Sequence, residues 1–344
     1  MNKPIQKILF GSPGTGKSFK IDKEIIPDKL NIYVDKTPEN IIKTVFHPEY
    51  TYGDFIGKLM PITRSGKVEY NFYEGHFLRA LAQAYKNIIK AHDKSGKRIE
   101  NIEIENVVLI IDEINRGNSS AIFGSVFQLL DREDNGWSTY YISINEIAFI
   151  KILELIEVDI SYDKKGQIDK LEKLDQELKF LNFDVINKTI KIPNNLSIIA
   201  TMNTSDSSIY YMDSAFKRRW TWEFIDIDSN SVCADGIAFK NRDDWYDFIS
   251  KLNLFIRHNH KFIRGIEDKQ VGKYFINDQK IEKSSIQNKL MFFLWDNVFN
   301  RDKKPLINLL YSKDSQSSEK LITFGDFAKE VDLFIKKIND FKDV

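Results

Sequence analysis

The chain has 344 residues, enough for two domains, and its 42% hydrophobic and 29% charged residues are an ordinary balance for a globular protein. Lysine plus arginine equals aspartate plus glutamate at 50 each, which excludes a basic nucleic-acid-binding footprint over the whole chain and leaves any DNA contact to a local patch or a partner. The single cysteine, Cys233, excludes an intrachain disulfide and suits the cytoplasm, and no apolar run is long enough to cross a membrane.

A glycine-rich loop lies between the first predicted strand and the first predicted helix. Residues 5–10 are an apolar stretch typical of a buried strand, and residues 19–26 can continue as a helix. Between them the chain reads GSPGTGKS, which meets every fixed position of the phosphate-loop pattern G-x-x-x-x-G-K-[ST]. The strand, loop and helix therefore predict a binding site for a nucleoside triphosphate.

Each residue type in this loop suits phosphate chemistry. Glycines allow successive backbone N–H groups to point at phosphate oxygens, and the following helix adds the positive end of its dipole. Lys17 can place a cation against the outer phosphates, and the Ser18 hydroxyl can ligate Mg²⁺. The predicted nucleotide-binding residues are Gly11, Ser12, Pro13, Gly14, Thr15, Gly16, Lys17 and Ser18.

The next predicted elements run from a second strand to a long helix. Residues 44–46 predict a second strand, which is followed by an aromatic, turn-rich stretch over residues 49–57. Residues 67–73 alternate and predict another strand after a turn at residues 64–66. From Gly75 onward, apolar residues recur at helical spacing as far as Ile89, and the charged residues 91–105 are expected to be exposed.

Two further strands predict the centre of a parallel sheet. Residues 107–111, VVLII, form the most apolar strand, as expected for one covered on both faces, and a helix is predicted over residues 119–130. Residues 196–202 predict a second core strand and residues 220–225 a final one. Strands that alternate with helices around a phosphate loop predict an α/β three-layer fold.

Two regions lie outside that pattern. Residues 144–188 predict a helical insertion, because leucine and isoleucine recur every three or four residues between positions 168 and 181. The amphipathic helix of this insertion either packs on its own domain or presents a surface to a partner or to DNA. From about residue 229 onward the pattern is helices only. We therefore predict a nucleotide-binding domain over residues 1–228 and a small helical lid domain over residues 229–344.

Polar residues at the ends of the two core strands supply candidate catalytic groups. Asp112 and Glu113 follow one strand, at the sheet edge where open α/β sheets bind ligands. Asp112 is placed to hold Mg²⁺ with Ser18, and Glu113 is placed to orient or deprotonate the attacking water. Asn203 ends the other strand, where its amide can hold that water or simply form a turn.

Five separated motifs in fixed order resemble the AAA+ module of McrB-type proteins, the GTPase motors of modification-dependent restriction systems. They are residues 11–18, 47–56 (HPEYTYGDFI), 110–118 (IIDEINRGN), 201–208 (TMNTSDSS) and 213–220 (DSAFKRRW). The resemblance implies that Asp112 and Glu113 are the Mg²⁺-associated and catalytic acids and that Asn203 is the sensor asparagine. It also implies that Arg218 and Arg219 reach the nucleotide of a neighbouring subunit in a hexameric ring.

The resemblance further implies a partner endonuclease similar to McrC. Two departures from the family pattern leave the nucleotide and the means of DNA targeting open. Ser205 and Ser207 stand where the family has alanine and arginine, so GTP and ATP both remain candidate substrates. The sequence starts at the first strand, so DNA targeting is expected from the insertion, the ring pore or another subunit. The alternatives are an ATP-driven remodelling chaperone similar to MoxR or dynein, and a nucleotide-gated scaffold with little turnover.

Overall fold

A computed structural model describes most of the chain. The described residues are 3–64, 66–93, 95–162, 168–169, 171–204, 210, 212–227, 234–276, 278–311 and 321–342. Cys233, Ser205 and Ser207, which the sequence analysis singled out, lie outside them.

A five-stranded parallel sheet confirms the predicted α/β class. In chain order its strands are β1 (Gln6–Gly11), β2 (Ile41–Val45), β5 (Val107–Asp112), β8 (Leu196–Asn203) and β9 (Thr221–Phe224). Their spatial order is β2-β5-β8-β1-β9, which places β8 between β5 and the strand that leads into the glycine-rich loop. The remaining strands are β3 (Gly57–Arg64), β4 (Lys67–Glu74), β6 (Ile142–Ser143), β7 (Thr189–Ile190), β10 (Ile237–Phe239) and β11 (Ile281–Glu282).

The two central strands are buried along almost their whole length, as their apolar runs predicted. β5 pairs in parallel with β8, with Ile111 opposite Ala200, and with β2, with Val45 opposite Asp112. Every residue of β5 from Val107 to Ile111 is at most 2% exposed. Because parallel strands end at the same edge, the polar residues at the carboxyl ends of β5 and β8 are brought together.

Helices cover the sheet, and some wind differently from the prediction. In chain order they are α1 (Lys17–Lys20), α2 (Tyr52–Phe55), α3 (His76–Lys90), α4 (Ser119–Phe123), α5 (Glu146–Leu155), α6 (Leu171–Glu177), α7 (Ser214–Lys217), α8 (Arg242–His258), α9 (Lys283–Ser285), α10 (Lys304–Tyr311), α11 (Phe324–Lys329) and α12 (Val331–Asn339). α1 continues as a π-helix over Ile21–Lys29 that contains Pro27. α4 gives way to a 3-10 helix over Gly124–Leu130, so residues 119–130 are not one α-helix.

The β3–β4 hairpin corrects the sequence analysis, which predicted only its second strand. The two strands pair antiparallel from Gly57 opposite Glu74 to Arg64 opposite Lys67. One face carries the apolar residues Leu59 and Tyr70, which are 50% and 71% exposed. β3 was missed because it is mostly exposed, contains Pro61 and lacks the alternation of a half-buried strand.

The insertion is only partly helical. Its ends are joined by the short β6–β7 pair, with Ile142 opposite Ile190, and its helical parts are α5, α6 and a 3-10 turn over Lys179–Leu181. Ile168, predicted to lie on the amphipathic helix, instead forms a bridge with Tyr162. Leu178 and Leu181 are buried, so this end of the insertion packs on its own domain.

The chain divides into two compact units. The first comprises residues 1–8 and 16–219, and the second comprises residues 9–15 and 220–344, so β1 passes from one unit to the other. The domain boundary predicted after residue 228 stays a prediction, because residues 228–233 are not among those described.

The second unit is mainly helical around an aromatic core. Phe10, at the end of β1, lies 4.3 Å from Phe292 and 5.6 Å from Trp222 between ring centroids. The short antiparallel β10–β11 pair also belongs to this unit, so the prediction of helices only was wrong. Among the described helices of both units, none is long and apolar enough to cross a membrane.

Candidate functional site

The glycine-rich loop has the backbone that a phosphate cradle requires. Gly16 has φ 84°, in the left-handed region, and immediately precedes α1. At Gly11 a Cβ atom would lie 2.3 Å from the Ile225 carbonyl oxygen, so only glycine fits. The Thr15 hydroxyl donates a hydrogen bond to the Ser12 carbonyl at 3.0 Å, which closes the loop on itself.

The polar side chains of the loop differ in exposure. Lys17 is only 7% exposed, and Thr15 is 2% exposed. Ser12, Gly14 and Ser18 are exposed. Backbone N–H groups, hydroxyls and a lysine are the groups that bind a ligand with several negative oxygens.

At the carboxyl ends of β5 and β8, one hydroxyl joins two strands. Thr201 donates from Oγ1 to Asp112 Oδ1 at 2.9 Å, and the same oxygen accepts a hydrogen bond from the Glu113 backbone N–H at 3.1 Å. This contact fixes both the Asp112 carboxylate and the peptide of Glu113. Thr201 was not among the predicted site residues, although it lies two residues before Asn203.

Glu113 and Asn203 face each other across the two strand ends. The Asn203 amide nitrogen donates a hydrogen bond to Glu113 Oε1. Glu113 itself has φ 55°, a left-handed backbone uncommon for a residue with a side chain. The fold therefore brings together the two residues predicted to handle the attacking water, and it holds one of them in a strained conformation.

Asn115 is a second residue that the sequence reasoning missed. It is 1% exposed, and its side-chain amide donates a hydrogen bond to the Asn203 carbonyl at 2.9 Å. Its side-chain oxygen is buried with no hydrogen-bond partner among the described residues. Asn115 thus fixes the backbone at Asn203. Its position within the motif at residues 110–118 was the sequence signal that could have identified it.

The two candidate arginines lie in different environments. Arg218 is exposed. The Arg219 side chain is 8% exposed and forms an ion pair with Asp131 of its own chain at 2.7 Å. Its guanidinium also lies over the Phe127 ring, 3.9 Å from the centroid. Both roles stay predictions, but this geometry makes Arg218 the better candidate to reach a neighbour.

The donor set fits Mg²⁺ held together with a nucleotide. Mg²⁺ is usually bound by one or two protein oxygens while phosphates and waters complete the octahedron. Ser18 and Asp112 are the predicted ligands, and the bond from Thr201 orients the carboxylate of Asp112. No group of three or more metal-binding side chains occurs in the described part of the chain.

Together, the sheet order and the loop define an α/β protein of the P-loop class. No protein-family model matches the chain. It is 29% identical over 332 residues to the Type II restriction enzyme BsuMI component YdiS of Bacillus subtilis (strain 168), a match that covers 89% of this chain and 82% of that protein.

A second match is to the Type IV methyl-directed restriction enzyme EcoKMcrB subunit of Escherichia coli (strain K12). The two are 28% identical over 225 residues, which cover 64% of this chain and 35% of that subunit. The chain is thus McrB-like and related to components of restriction systems, which confirms the resemblance predicted from its motifs. At the level of family, this supports an AAA+ motor protein of a restriction system.

Proposed function

We propose that this chain is a ring-forming nucleoside triphosphatase that uses GTP or ATP with Mg²⁺ and drives a partner endonuclease in DNA restriction. The observation that carries the proposal is the polar network at the sheet edge. Thr201 and Asn203 on β8 hold Asp112 at the end of β5 and Glu113 directly after it, and β8 is also the neighbour of the strand that carries the phosphate loop.

The residues of this chain have distinct parts in the proposed hydrolysis. Lys17 and the loop N–H groups bind the phosphates, while Ser18 and Asp112 hold Mg²⁺, which neutralises phosphate charge when bound. Glu113 accepts a proton from the water whose oxygen bonds to the γ-phosphorus, and the β–γ bridging oxygen leaves with the electron pair. Asn203 holds the Glu113 carboxylate in position for that transfer.

The exposure of Arg218 supports a site completed between subunits. A guanidinium from a neighbour that stabilises charge on the γ-phosphoryl group is worth about 10³–10⁵ in rate. Such an arrangement requires at least two adjacent subunits, and the McrB likeness favours a closed hexameric ring. Turnover would then belong to the ring and not to the single chain.

Both relatives are named as parts of restriction enzymes, which supports the proposed function in DNA restriction. We expect an endonuclease subunit similar to McrC as the partner and a cytoplasmic encounter with foreign DNA. Contact with DNA would run through the ring or the partner.

The direct test is hydrolysis of GTP and of ATP by the purified chain, alone and with an endonuclease subunit similar to McrC, in Mg²⁺ and in EDTA. We expect turnover that needs Mg²⁺, rises with the partner and disappears in Lys17→Ala. Size-exclusion mass in each nucleotide reports ring assembly. Absence of turnover of both nucleotides under every condition would overturn the proposal, and turnover that does not respond to the nuclease subunit would favour a remodelling chaperone.

A further inference from the structure

The segment that carries Arg218 is clamped to its own unit through the neighbouring arginine. Asp131 Oδ2 accepts hydrogen bonds from Arg219 Nε at 3.0 Å and from Arg219 Nη2 at 2.7 Å. The third nitrogen, Nη1, donates to the Ala215 carbonyl at 2.9 Å, and the guanidinium plane lies over Phe127. A forked ion pair with a stacked ring leaves Arg219 little freedom to rotate.

Gln6 provides a second anchor from the start of β1. Its amide nitrogen donates to the Arg219 carbonyl at 2.6 Å and to the Leu130 carbonyl at 2.8 Å. Its amide oxygen accepts a hydrogen bond from Arg132 Nε at 3.3 Å. The backbone of Arg219 is therefore held as well as its side chain, and the anchoring strand is the one that leads into the phosphate loop.

Arg132 makes that second anchor rigid. Its two terminal nitrogens donate hydrogen bonds to the carbonyls of Gly136, Ile192, Pro193 and Leu196. Burial lowers the pKa of the guanidinium to about 9, which still leaves it charged near neutral pH. A buried cation bound to so many carbonyls fixes the turn after Asp131.

We propose that Asp131 and Gln6 are positioning residues that hold Arg219 so that Arg218 projects from the surface toward a neighbouring subunit's nucleotide. Arg219 then supports the donated arginine and is not itself donated. The inference rests on the proposed function, because it presupposes that Arg218 completes a site in trans. It is independent of whether that site takes GTP or ATP.

Asp131→Asn tests the clamp, because it keeps the size of the side chain and removes its charge. A small displacement of a catalytic group costs on the order of 10²-fold in rate, so we expect turnover to fall about 10- to 100-fold. Binding of a fluorescent non-hydrolysable nucleotide and the KM should stay unchanged. Asp134→Asn, the same change at an exposed carboxylate three residues on, is the matched control and should keep wild-type turnover.

Mixed rings separate positioning from a general structural role. An excess of Lys17→Ala subunits carries intact Asp131 and Arg218, so it should restore turnover per Asp131→Asn subunit toward the wild-type value. A defect confined to the variant's own fold would not be repaired by its neighbour. Gln6→Met, which removes the second anchor, should show a smaller loss of about 10-fold with the same rescue.

The outcomes distinguish this inference from the proposed function. If Arg218→Ala keeps full turnover, the trans arginine of the proposed function fails. If Arg218→Ala loses turnover and is rescued while Asp131→Asn behaves as wild type, only the positioning role is overturned. Failure of the mixed-ring rescue, or loss of nucleotide binding by both Asp131→Asn and Gln6→Met, would also overturn it.

Discussion

The sheet edge and the arginine segment both carry predicted catalytic residues, but they are built in opposite ways. At the edge, Asp112, Glu113 and Asn203 contact one another or Thr201 within one chain. In the arginine segment, Arg219 turns inward to Asp131 while Arg218 lies exposed. Under the proposed function, each chain would hold the residues that position the attacking water and would present at its surface the arginine that neutralises phosphate charge.

The largest loss of turnover is expected for a substitution at the edge of the sheet. Glu113→Gln keeps the side-chain shape and removes the proton acceptor, so we expect turnover to fall about 10³-fold or more while nucleotide binding persists. Steady-state hydrolysis and binding of a fluorescent nucleotide measure the two quantities. Glu172→Gln on α6 changes an exposed glutamate and serves as control. Normal turnover in Glu113→Gln would remove Glu113 from the mechanism.

Substitutions of the two arginines should differ in their effect on protein stability as well as on turnover. Arg218→Ala should lower turnover by about 10³-fold and change the melting temperature little, because interactions of an exposed side chain add little stability. Arg219→Ala should lose turnover and also about 2 kcal/mol of stability, because Asp131 is left without its partner. Thermal unfolding beside hydrolysis checks both, and equal melting temperatures for the two variants would contradict the contrast between them.

A smaller loss is expected from the hydroxyl that joins the strand ends. Thr201→Val keeps the side-chain shape and removes both the bond to Asp112 and the acceptor for the Glu113 N–H. Looser placement of the two acids should lower turnover about 10-fold. Thr221→Val, at an exposed position on β9, is the matched control in the same assay. Turnover equal to that of the control would show that the edge does not depend on Thr201.

The smallest effect should lie at the start of the helix that precedes the arginines. Ser120 donates a hydrogen bond to Asp213 Oδ2 at 2.8 Å, and Asp213 Oδ1 accepts one from the Phe216 N–H at 2.7 Å. Ser120→Ala leaves the second bond intact, so we expect turnover to fall only about 2- to 3-fold. Ser125→Ala, at an exposed serine, is the control. A loss as large as that of Arg218→Ala would mean that Asp213, and not Asp131, sets the arginine position.

The sequence predicted those parts of the fold that the preferences of neighbouring residues determine. The apolar runs of β5 and β8 predicted these two strands correctly, and the glycines of the loop predicted the turn between β1 and α1 correctly. The hairpin partner β3 was not, because an exposed strand with Pro61 carries no periodic signal. The π-helix at Ile21–Lys29 was missed for a similar reason, since a helical pattern does not specify how tightly the helix winds.

The candidate site shows the same limit. Asp112, Glu113 and Asn203 could be predicted because each ends a strand that is itself predictable. The inward turn of Arg219 could not, because its partner Asp131 lies 88 residues earlier in the chain and in no recognised motif. Thr201 and Asn115 lie inside recognised motifs, but their hydrogen bonds depend on how two strands are paired.

The left-handed backbone of Glu113 has a consequence for how this protein can evolve or be engineered. A side-chain-bearing residue at φ 55° costs roughly 1–2 kcal/mol relative to an ordinary conformation. Glycine or asparagine would relieve that strain, so selection for heat resistance alone should favour their appearance at this position. If Glu113 is the proposed proton acceptor, such a thermostable variant would lose turnover, and thermal stability and turnover should trade against each other at this residue.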